Sequence, residues 1–310
     1  MRLHALVWGT LSIVAAGALS AGLGPDLGPI PEVGHLVGHV VLFGVFAVLL
    51  ARATERSASF VCAATVAVGG LVELAQMLGS GHLLLREGSY DVAIDGLSGL
   101  LGLSVARPAP AAKLIGVALH PALVLPLGLF GTFYASQRDP IVAAIWTAIG
   151  VGSLAPVGLL WLVGVHRGWF TEVDLIARAE RPALFVAATV STLGFALVAG
   201  TFAPQSIAVV ALGLTWFALG ITLVTAAGFK ASGHVAVSVL LALAITPWST
   251  RGPPLFLASA ALLSWARVKA GCHHPAEVAG GWMLAYGASG WNTTVASVVA
   301  GSARSVTFTP

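Results

Sequence analysis

Charged side chains are scarce in this chain: Asp, Glu, Lys and Arg make up only 9% of its 310 residues, whereas hydrophobic residues make up 57%. This balance excludes an ordinary soluble domain, in which about a quarter of the residues are charged. A helix that crosses a bilayer needs about 20 mostly apolar residues. Such runs follow one another from residue 5 to residue 300. The composition therefore predicts an all-α polytopic membrane protein.

The chain also has few cysteines and a small net charge. The two cysteines, Cys62 and Cys272, lie far apart in the sequence, which excludes a disulfide framework as the basis of the fold. The net charge of +3 is small and is distributed over the loops, which argues against a nucleic-acid surface. We therefore expect no nucleic-acid partner and take the lipid bilayer as the partner; protein partners are unknown.

Apolar runs separated by charged, Gly or Pro clusters predict about eleven membrane spans. They are expected at 5–23, 36–51, 59–78, 90–106, 114–134, 140–164, 182–199, 206–228, 235–248, 254–267 and 277–300. A Pro/Ala-rich connector interrupts this series once. It predicts a four-span domain over 1–106, a linker over 107–113 and a seven-span domain over 114–310.

The distribution of Lys and Arg predicts the orientation in the membrane. Of the 15 Lys and Arg residues, all but Arg86, Arg138, Arg251 and Arg304 fall on the side of the N-terminus. Because cytoplasmic loops are enriched in Lys and Arg, we expect the N-terminus to be cytoplasmic. The membrane is expected to be a bacterial plasma membrane.

Three polar clusters interrupt the C-terminal half: "DLIARAERP" at 174–182, "KASGHVAVS" at 230–238 and "RVKAGCHHPAEV" at 267–278. Two predicted spans separate each cluster from the next. An even number of crossings returns the chain to the same face, so all three clusters are expected at one membrane surface. Their shared face indicates a site.

The residue types in these clusters suit phosphoryl transfer. Arg181 and Arg267 are planar cations, and each can bind two phosphate oxygens at once. Ser232 and Gly233, at the start of a predicted helix, offer backbone N–H groups and the positive end of a helix dipole. These four residues are candidate phosphate ligands.

Two histidines and a glutamate supply the remaining chemistry. His234, in the first turn of the predicted helix, can protonate a leaving oxygen. His273 and Glu277 are four residues apart, so a helical turn would place the carboxylate over the imidazole. Glu277 would then hold one ring N–H and leave the other nitrogen of His273 free to attack phosphorus.

These motifs resemble those of the type 2 phosphatidic acid phosphatase superfamily, whose members remove phosphate from lipid phosphates or diphosphates without a metal. The resemblance covers about residues 114–300 and rests on Arg181-Pro182, on Ser232-Gly233-His234 and on Arg267, His273 and Glu277. It implies that His273 forms a phosphohistidine, that His234 protonates the leaving alcohol and that the other residues bind phosphate. It also implies no cofactor and no metal.

The chain departs from the family pattern at three positions. Asp174 occupies the place of a phosphate-binding Lys, Ala231 that of a Pro, and Glu277 that of an Asp. The longer Glu side chain moves the carboxylate by a methylene, or roughly 1 Å, and such a displacement can cost about 100-fold in rate. Arg178, on the helical face of Arg181, or Lys230 is expected to replace the missing cation.

Other interpretations remain open for these residues. Lys and Arg at the ends of spans also serve as membrane anchors, and Cys272 with the adjacent histidines is a weak zinc pattern. A protein of a different class, which binds or translocates a lipid phosphate without hydrolysing it, is the alternative function.

A second polar set lies in the N-terminal half. Its members are His39, Glu73, Gln76, Arg86 and Asp91. Ionisable groups within spans indicate function because they are costly to bury, and Arg86 or His39 is the expected partner of Glu73. A polar knot that only fixes helix packing is the alternative.

Residues 1–105 resemble the VanZ-like family of small four-span membrane proteins linked to glycopeptide resistance. The matching positions are His39, Glu73, Gln76, Arg86, Ser89, Asp91 and Gly99, whereas Asp95 replaces an Asn. Gly96, Gly99 and Gly102 are expected to permit close helix contact.

Overall fold

The computed structural model describes residues 32–80, 85–170 and 180–304, with side chains described over 36–78, 88–170 and 180–289. Over these residues the chain is all-helical, without strands. It divides into two compact units, which meet in the sequence between Ala118 and Leu119.

The first unit contains four described helices: α1 (Glu32–Ala53), α2 (Ala58–Ser80), α3 (Leu85–Ala106) and α4 (Pro108–Ala118). Helix α3 is central, since it packs against each of the other three. Along α1, Val37, Val41 and Val45 form an exposed apolar stripe at four-residue spacing. A stripe of this kind suits a lipid environment better than water.

Glycines of α3 allow its close packing, as the sequence predicts. A Cβ at Gly102 would collide with the backbone oxygen of Gly44 on α1, and one at Gly99 would lie 3.0 Å from the side chain of Thr65 on α2. The two glycines therefore face different neighbours, and each permits one of the two helix pairs.

The segment expected to be a linker, 107–113, consists of Arg107 followed by the first residues of α4, which begins at Pro108. Pro108 occupies the first turn, where its fixed φ is favourable and its missing N–H costs nothing. The following alanines favour helix, and Ala111 and Ala112 are buried. Arg107 donates hydrogen bonds to backbone oxygens of Ala51 and Thr54, at the end of α1. These contacts tie the segment to the first unit.

The second unit contains eight described helices. They are α5 (Pro121–Gln137), α6 (Pro140–Ser153), α7 (Ala155–His166), α8 (Pro182–Phe202), α9 (Gln205–Ala226), α10 (Gly233–Ile245), α11 (Gly252–Lys269) and α12 (Pro275–Arg304). Helix α10 is short and mostly buried, and it packs against α5, α11 and α12. Phe133, Phe195, Ile207 and Leu241 meet in the core of the unit.

Among the described residues, four helices are long and apolar enough to cross a membrane: Leu36–Ala53, Ala58–Leu78, Pro182–Phe202 and Gln205–Ala226. The number rises to six if two pairs of consecutive helices are each taken as a single span. The chain is thus a helical protein with several candidate membrane spans. The first predicted span, 5–23, lies outside the described residues.

Two of the predicted spans are each built from two helices. The run at 114–134 is interrupted before Pro121, and the run at 140–164 is interrupted at Leu154, before Pro156. Proline has no N–H to donate to the preceding turn and clashes with it, so a new helix begins at each proline-containing turn. In the second case the two helices are inclined by 41°.

Candidate active site

Described residues from each of the three polar clusters of the C-terminal half meet in the second unit. Lys230 Nζ lies 3.1 Å from Glu277 Oε2, and the Arg181 guanidinium donates to the backbone oxygen of Ala231 at 3.4 Å. Arg267 and His273 lie close enough to these groups to interact with them electrostatically. Helices α8, α10, α11 and α12 therefore present their polar termini to one site.

A tight turn between α11 and α12 positions His273. Gly271 has a φ of +73°, in the left-handed region that favours glycine. The N–H groups of Cys272 and His273 then donate to the backbone oxygen of Arg267 at 3.0 and 3.2 Å. This arrangement ends α11 in the manner of a helix C-cap and places the His273 side chain back toward the site.

The start of α12 positions Glu277. Pro275 opens the helix, and His274 precedes it with its Nδ1 accepting the N–H of Ala276 at 3.3 Å. Glu277 Oε2 in turn accepts the N–H of His274 at 3.2 Å. This reciprocal pattern is a capping box, with histidine in place of the usual Ser or Thr. His274 is exposed and acts as the helix cap.

Glu277 also contacts the predicted nucleophile. Its Oε2 lies 2.8 Å from Nδ1 of His273, which is buried. The same oxygen pairs with Lys230, so one carboxylate oxygen has three partners. With Nδ1 held by Glu277, the other ring nitrogen of His273, Nε2, is the one left to react. The longer Glu side chain thus reaches the imidazole, so the displacement expected from the missing Asp does not prevent this contact.

The charge of the site suits a phosphate. Arg181 and Arg267 are 5% and 4% exposed, and they lie close enough to repel each other. Among these described groups, the two arginines and Lys230 carry three positive charges, against one negative charge on Glu277. A phosphate monoester dianion would balance the resulting charge of +2. Buried cations are costly without an anion close by, so this site suits an anionic ligand.

Ser232 takes a different role from the one expected. Its N–H donates to the backbone oxygen of Glu277 at 2.9 Å, so this N–H is not available to a ligand. Its Oγ is fully buried and has no hydrogen-bond partner among the described residues. The hydroxyl, rather than the backbone N–H, is therefore the donor that Ser232 can offer to phosphate. Gly233 begins α10, as predicted.

A close helix contact holds Ser232 in place. A Cβ at Gly281 on α12 would lie 2.6 Å from the backbone oxygen of Ser232. Only glycine fits at this position without a shift of the backbone. Helix α12 therefore carries Glu277 and, one turn later, the glycine that allows α10 to approach it.

His120 belongs to the site but carries no motif that would have revealed it. Its ring packs edge-on against the ring of His234, with the ring centroids 4.9 Å apart. It is the N-cap of α5, and its Nδ1 accepts the N–H of Ala122 at 3.2 Å. The neutral ring consequently carries its proton on Nε2. The only sequence signal is a histidine before a proline, which is typical of a helix start.

The pKa of His273 lies below the usual value for histidine. Burial is the largest cause, because it disfavours the charged imidazolium, and Arg267, Lys230 and Arg181 act in the same direction. The hydrogen bond to Glu277 opposes them. The outcome favours the neutral imidazole, the form that can attack phosphorus.

The structure leaves two expected cations undescribed. Arg178, with Asp174 before it, lies outside the described residues, and so does the side chain of Arg86. Lys230 is the expected replacement cation that the structure does place in the site, 3.1 Å from Glu277.

The N-terminal polar set also forms a cluster, within the first unit. His39 Nδ1 lies 2.7 Å from Oδ1 of Asp95, which is fully buried. Ligand atoms of His39, Glu73 and Asp91 all lie within 4.8 Å of one another. No metal site is expected from the sequence, yet these three side chains could hold one. Gln76 is half-buried on α2, three residues after Glu73.

Comparison with known proteins identifies no relative: no family model, no curated protein and no solved structure matches the chain.

Proposed function

We propose that the second unit is a membrane-embedded phosphatase that hydrolyses a lipid phosphate or a polyprenyl diphosphate through a phosphohistidine on His273. The observation that carries the proposal is the 2.8 Å contact between His273 and Glu277 beside two buried arginines. The carboxylate holds one ring nitrogen, and Arg267, Lys230 and Arg181 lie close enough to His273 to interact with it electrostatically, a combination that suits a nucleophile beside an anionic substrate.

The proposed reaction has two steps. In the first, Nε2 of His273 attacks the terminal phosphorus and the P–O bond to the leaving group breaks, while protonated His234 gives its proton to the leaving oxygen; the leaving group is the lipid alcohol for a monophosphate and the lipid monophosphate for a diphosphate. In the second, water attacks phosphorus, the P–N bond breaks, and inorganic phosphate leaves while His234 takes the proton of the water. Arg181, Arg267 and the hydroxyl of Ser232 hold the phosphate oxygens throughout and stabilise the charge that develops on them.

The chemistry of the site requires neither a metal nor a cofactor. The net positive charge of the site balances the phosphate, the hydroxyl of Ser232 donates a hydrogen bond to it, and His273 supplies the nucleophile. The proposal includes two family assignments. Residues 114–300 resemble the type 2 phosphatidic acid phosphatase superfamily, and residues 1–105 resemble the VanZ-like family. We also propose that the chain crosses a bacterial plasma membrane eleven times, with the N-terminus and the site on the cytoplasmic side.

Asp174 favours an alternative function. An acidic residue replaces a phosphate-binding lysine of the family pattern, and a phosphate dianion is repelled by a nearby carboxylate. A protein with such a change can retain lipid-phosphate binding and lose turnover. In that case the chain binds or translocates a lipid phosphate.

The test is phosphate release by the purified full chain in detergent micelles that contain lipid phosphates or polyprenyl diphosphates, with EDTA present. A phosphatase of the proposed type releases phosphate and is insensitive to EDTA. Binding of the lipid without any release of phosphate would establish the alternative. Activity that EDTA abolishes would overturn the metal-independent mechanism.

His273 and His274 form a matched pair for the nucleophile assignment. His273→Ala removes the group that forms the covalent bond, so turnover is lost while lipid-phosphate binding is retained. His274→Ala removes only a helix cap and keeps substantial turnover. Acid-labile radiolabelled phosphoenzyme should therefore form in His274→Ala and not in His273→Ala. The reverse result would contradict the assignment.

A further inference from the structure

We infer that the first unit contains a site for a divalent first-row metal ion, such as Zn²⁺ or Mn²⁺, whose ligands are His39, Glu73 and Asp91. This site is separate from the phosphatase chemistry proposed for the second unit and does not depend on it.

The geometry of the three side chains carries the inference. One nitrogen or oxygen atom from each lies within 4.8 Å of those of the other two. Ligand atoms around a tetrahedral zinc ion lie about 3.3–3.6 Å apart, since metal–ligand distances are about 2.0–2.2 Å. Small rotations of the side chains would therefore bring all three into contact with one ion. The ligands come from α1, α2 and α3, so the ion would join three helices.

Asp95 supplies a second observation that points to a metal. It is fully buried and lies 2.7 Å from Nδ1 of His39. Histidines that bind metals usually donate their other ring N–H to a carboxylate, which fixes the tautomer and the orientation of the ring. With Nδ1 held by Asp95, Nε2 of His39 would be the ring nitrogen that binds the ion. Asp95 is thus a positioning residue for the metal site.

Glycines lie beside two of the carboxylates. A Cβ at Gly69 would collide with the carboxylate of Asp95, and a Cβ at Gly88 would lie 3.3 Å from Oε2 of Glu73. Any larger residue at 69 would therefore displace the carboxylate of Asp95, and one at 88 would crowd that of Glu73. Glu73 is only 6% exposed, so a metal ion bound here would offset the cost of burying its charge among apolar helices.

The type of ligand indicates the type of metal. Imidazole favours zinc, iron, copper and nickel, whereas carboxylate oxygens favour magnesium, calcium and manganese. A set of one imidazole and two carboxylates suits a borderline ion such as Zn²⁺ or Mn²⁺. Three protein ligands also leave a coordination position open for water or for another small ligand.

The experiment is a metal titration of the full chain in detergent. The protein is first stripped with EDTA, then titrated with ZnCl₂ by calorimetry and with MnCl₂ by electron paramagnetic resonance. We expect one ion per chain in this site, and at least tenfold weaker binding in His39→Ala, in Asp91→Asn and in the positioning variant Asp95→Asn. Co²⁺ bound in the wild type should give d–d absorption bands that His39→Ala alters.

Two controls separate this site from other sources of binding. Glu55→Gln removes an exposed carboxylate beyond the far end of α1, roughly 20 Å along the helix from His39, and should leave binding unchanged. The double variant His273→Ala/His274→Ala removes the histidines of the second unit and should also leave it unchanged. Zinc binding that disappears in the double variant and persists in His39→Ala would overturn the inference.

Arg86 provides the competing explanation, because the sequence predicts it as a partner of Glu73. If its guanidinium occupies the place of the ion, the wild type will bind no metal and Arg86→Gln will bind one. That result, or the absence of binding in both proteins, overturns the inference. The inference is supported if the wild type binds one ion and Arg86→Gln binds it with equal or higher affinity.

Discussion

Glu277 Oε2 lies 2.8 Å from His273 Nδ1, although Glu277 is in the first turn of α12 and His273 comes before that helix begins. The same oxygen accepts the N–H of His274 and pairs with Lys230. The carboxylate thus caps the helix, orients the imidazole and holds a cation. Variants at these positions should therefore separate the structural role of the carboxylate from its chemical role.

Glu277→Asp should lower the rate of phosphoenzyme formation about 100-fold, because the shorter side chain withdraws the carboxylate by about 1 Å from His273. This result is expected although Asp is the residue in the family pattern. The measurement is single-turnover formation of phosphoenzyme. Glu55→Asp, in the loop after α1, is the control and should have the wild-type rate. A wild-type rate in Glu277→Asp would show that the carboxylate does not orient His273.

Lys230→Met and Glu277→Gln should shift the pH profile of phosphoenzyme formation in opposite directions. Attack requires neutral His273, so the rate rises with pH through the pKa of this group, which lies below the usual histidine value. Removing the Lys230 charge makes protonation easier and raises the pKa, so the profile moves to higher pH. Removing the Glu277 charge lowers the pKa and moves the profile to lower pH. Parallel shifts in both variants would contradict the assignment of the profile to His273.

His120→Asn and His120→Phe separate the two contacts of His120. Asn keeps a cap for α5 but loses the ring contact with His234, whereas Phe keeps a ring and loses the cap, at a cost of about 1 kcal/mol in stability. If the ring positions His234, His120→Asn should slow hydrolysis of alkyl phosphates about tenfold, a part of the ~10²–10⁴-fold effect of general acid catalysis.

Aryl phosphates provide the control for that prediction. Their leaving groups need little protonation, so His120→Asn should hydrolyse them at nearly the wild-type rate. An equal loss of rate with both kinds of substrate would indicate that His120 supports only the fold.

Gly281→Ala should destabilise the second unit by about 1–3 kcal/mol and weaken lipid-phosphate binding, since the added Cβ would lie 2.6 Å from the backbone oxygen of Ser232. Gly287→Ala on the same helix is the matched control, because no atom lies within 4 Å of its added Cβ. The control should be neutral or slightly stabilising, as alanine favours helix over glycine. Thermal unfolding in detergent and lipid-phosphate binding report the two effects. Equal unfolding temperatures for the two variants would contradict the proposed close contact.

Local patterns in the sequence are sufficient to predict most helices and part of the site. The predicted runs at 36–51 and 182–199 lie within helices Glu32–Ala53 and Pro182–Phe202. The spacing of His273 and Glu277 likewise predicts their contact, which the structure confirms. These features depend on apolar runs and on contacts between residues four positions apart, so neighbouring residues determine them.

Only the tertiary structure shows how distant segments meet. The N–H of Ser232 is occupied by the backbone oxygen of Glu277, and the ring of His120 reaches that of His234 from another helix. The side chains of His39, Glu73 and Asp91 come together from three helices. Such contacts depend on which helix faces pack together and how closely they approach. Those properties are decided by the shapes of side chains far apart in the sequence, such as the glycine at 281 that admits Ser232.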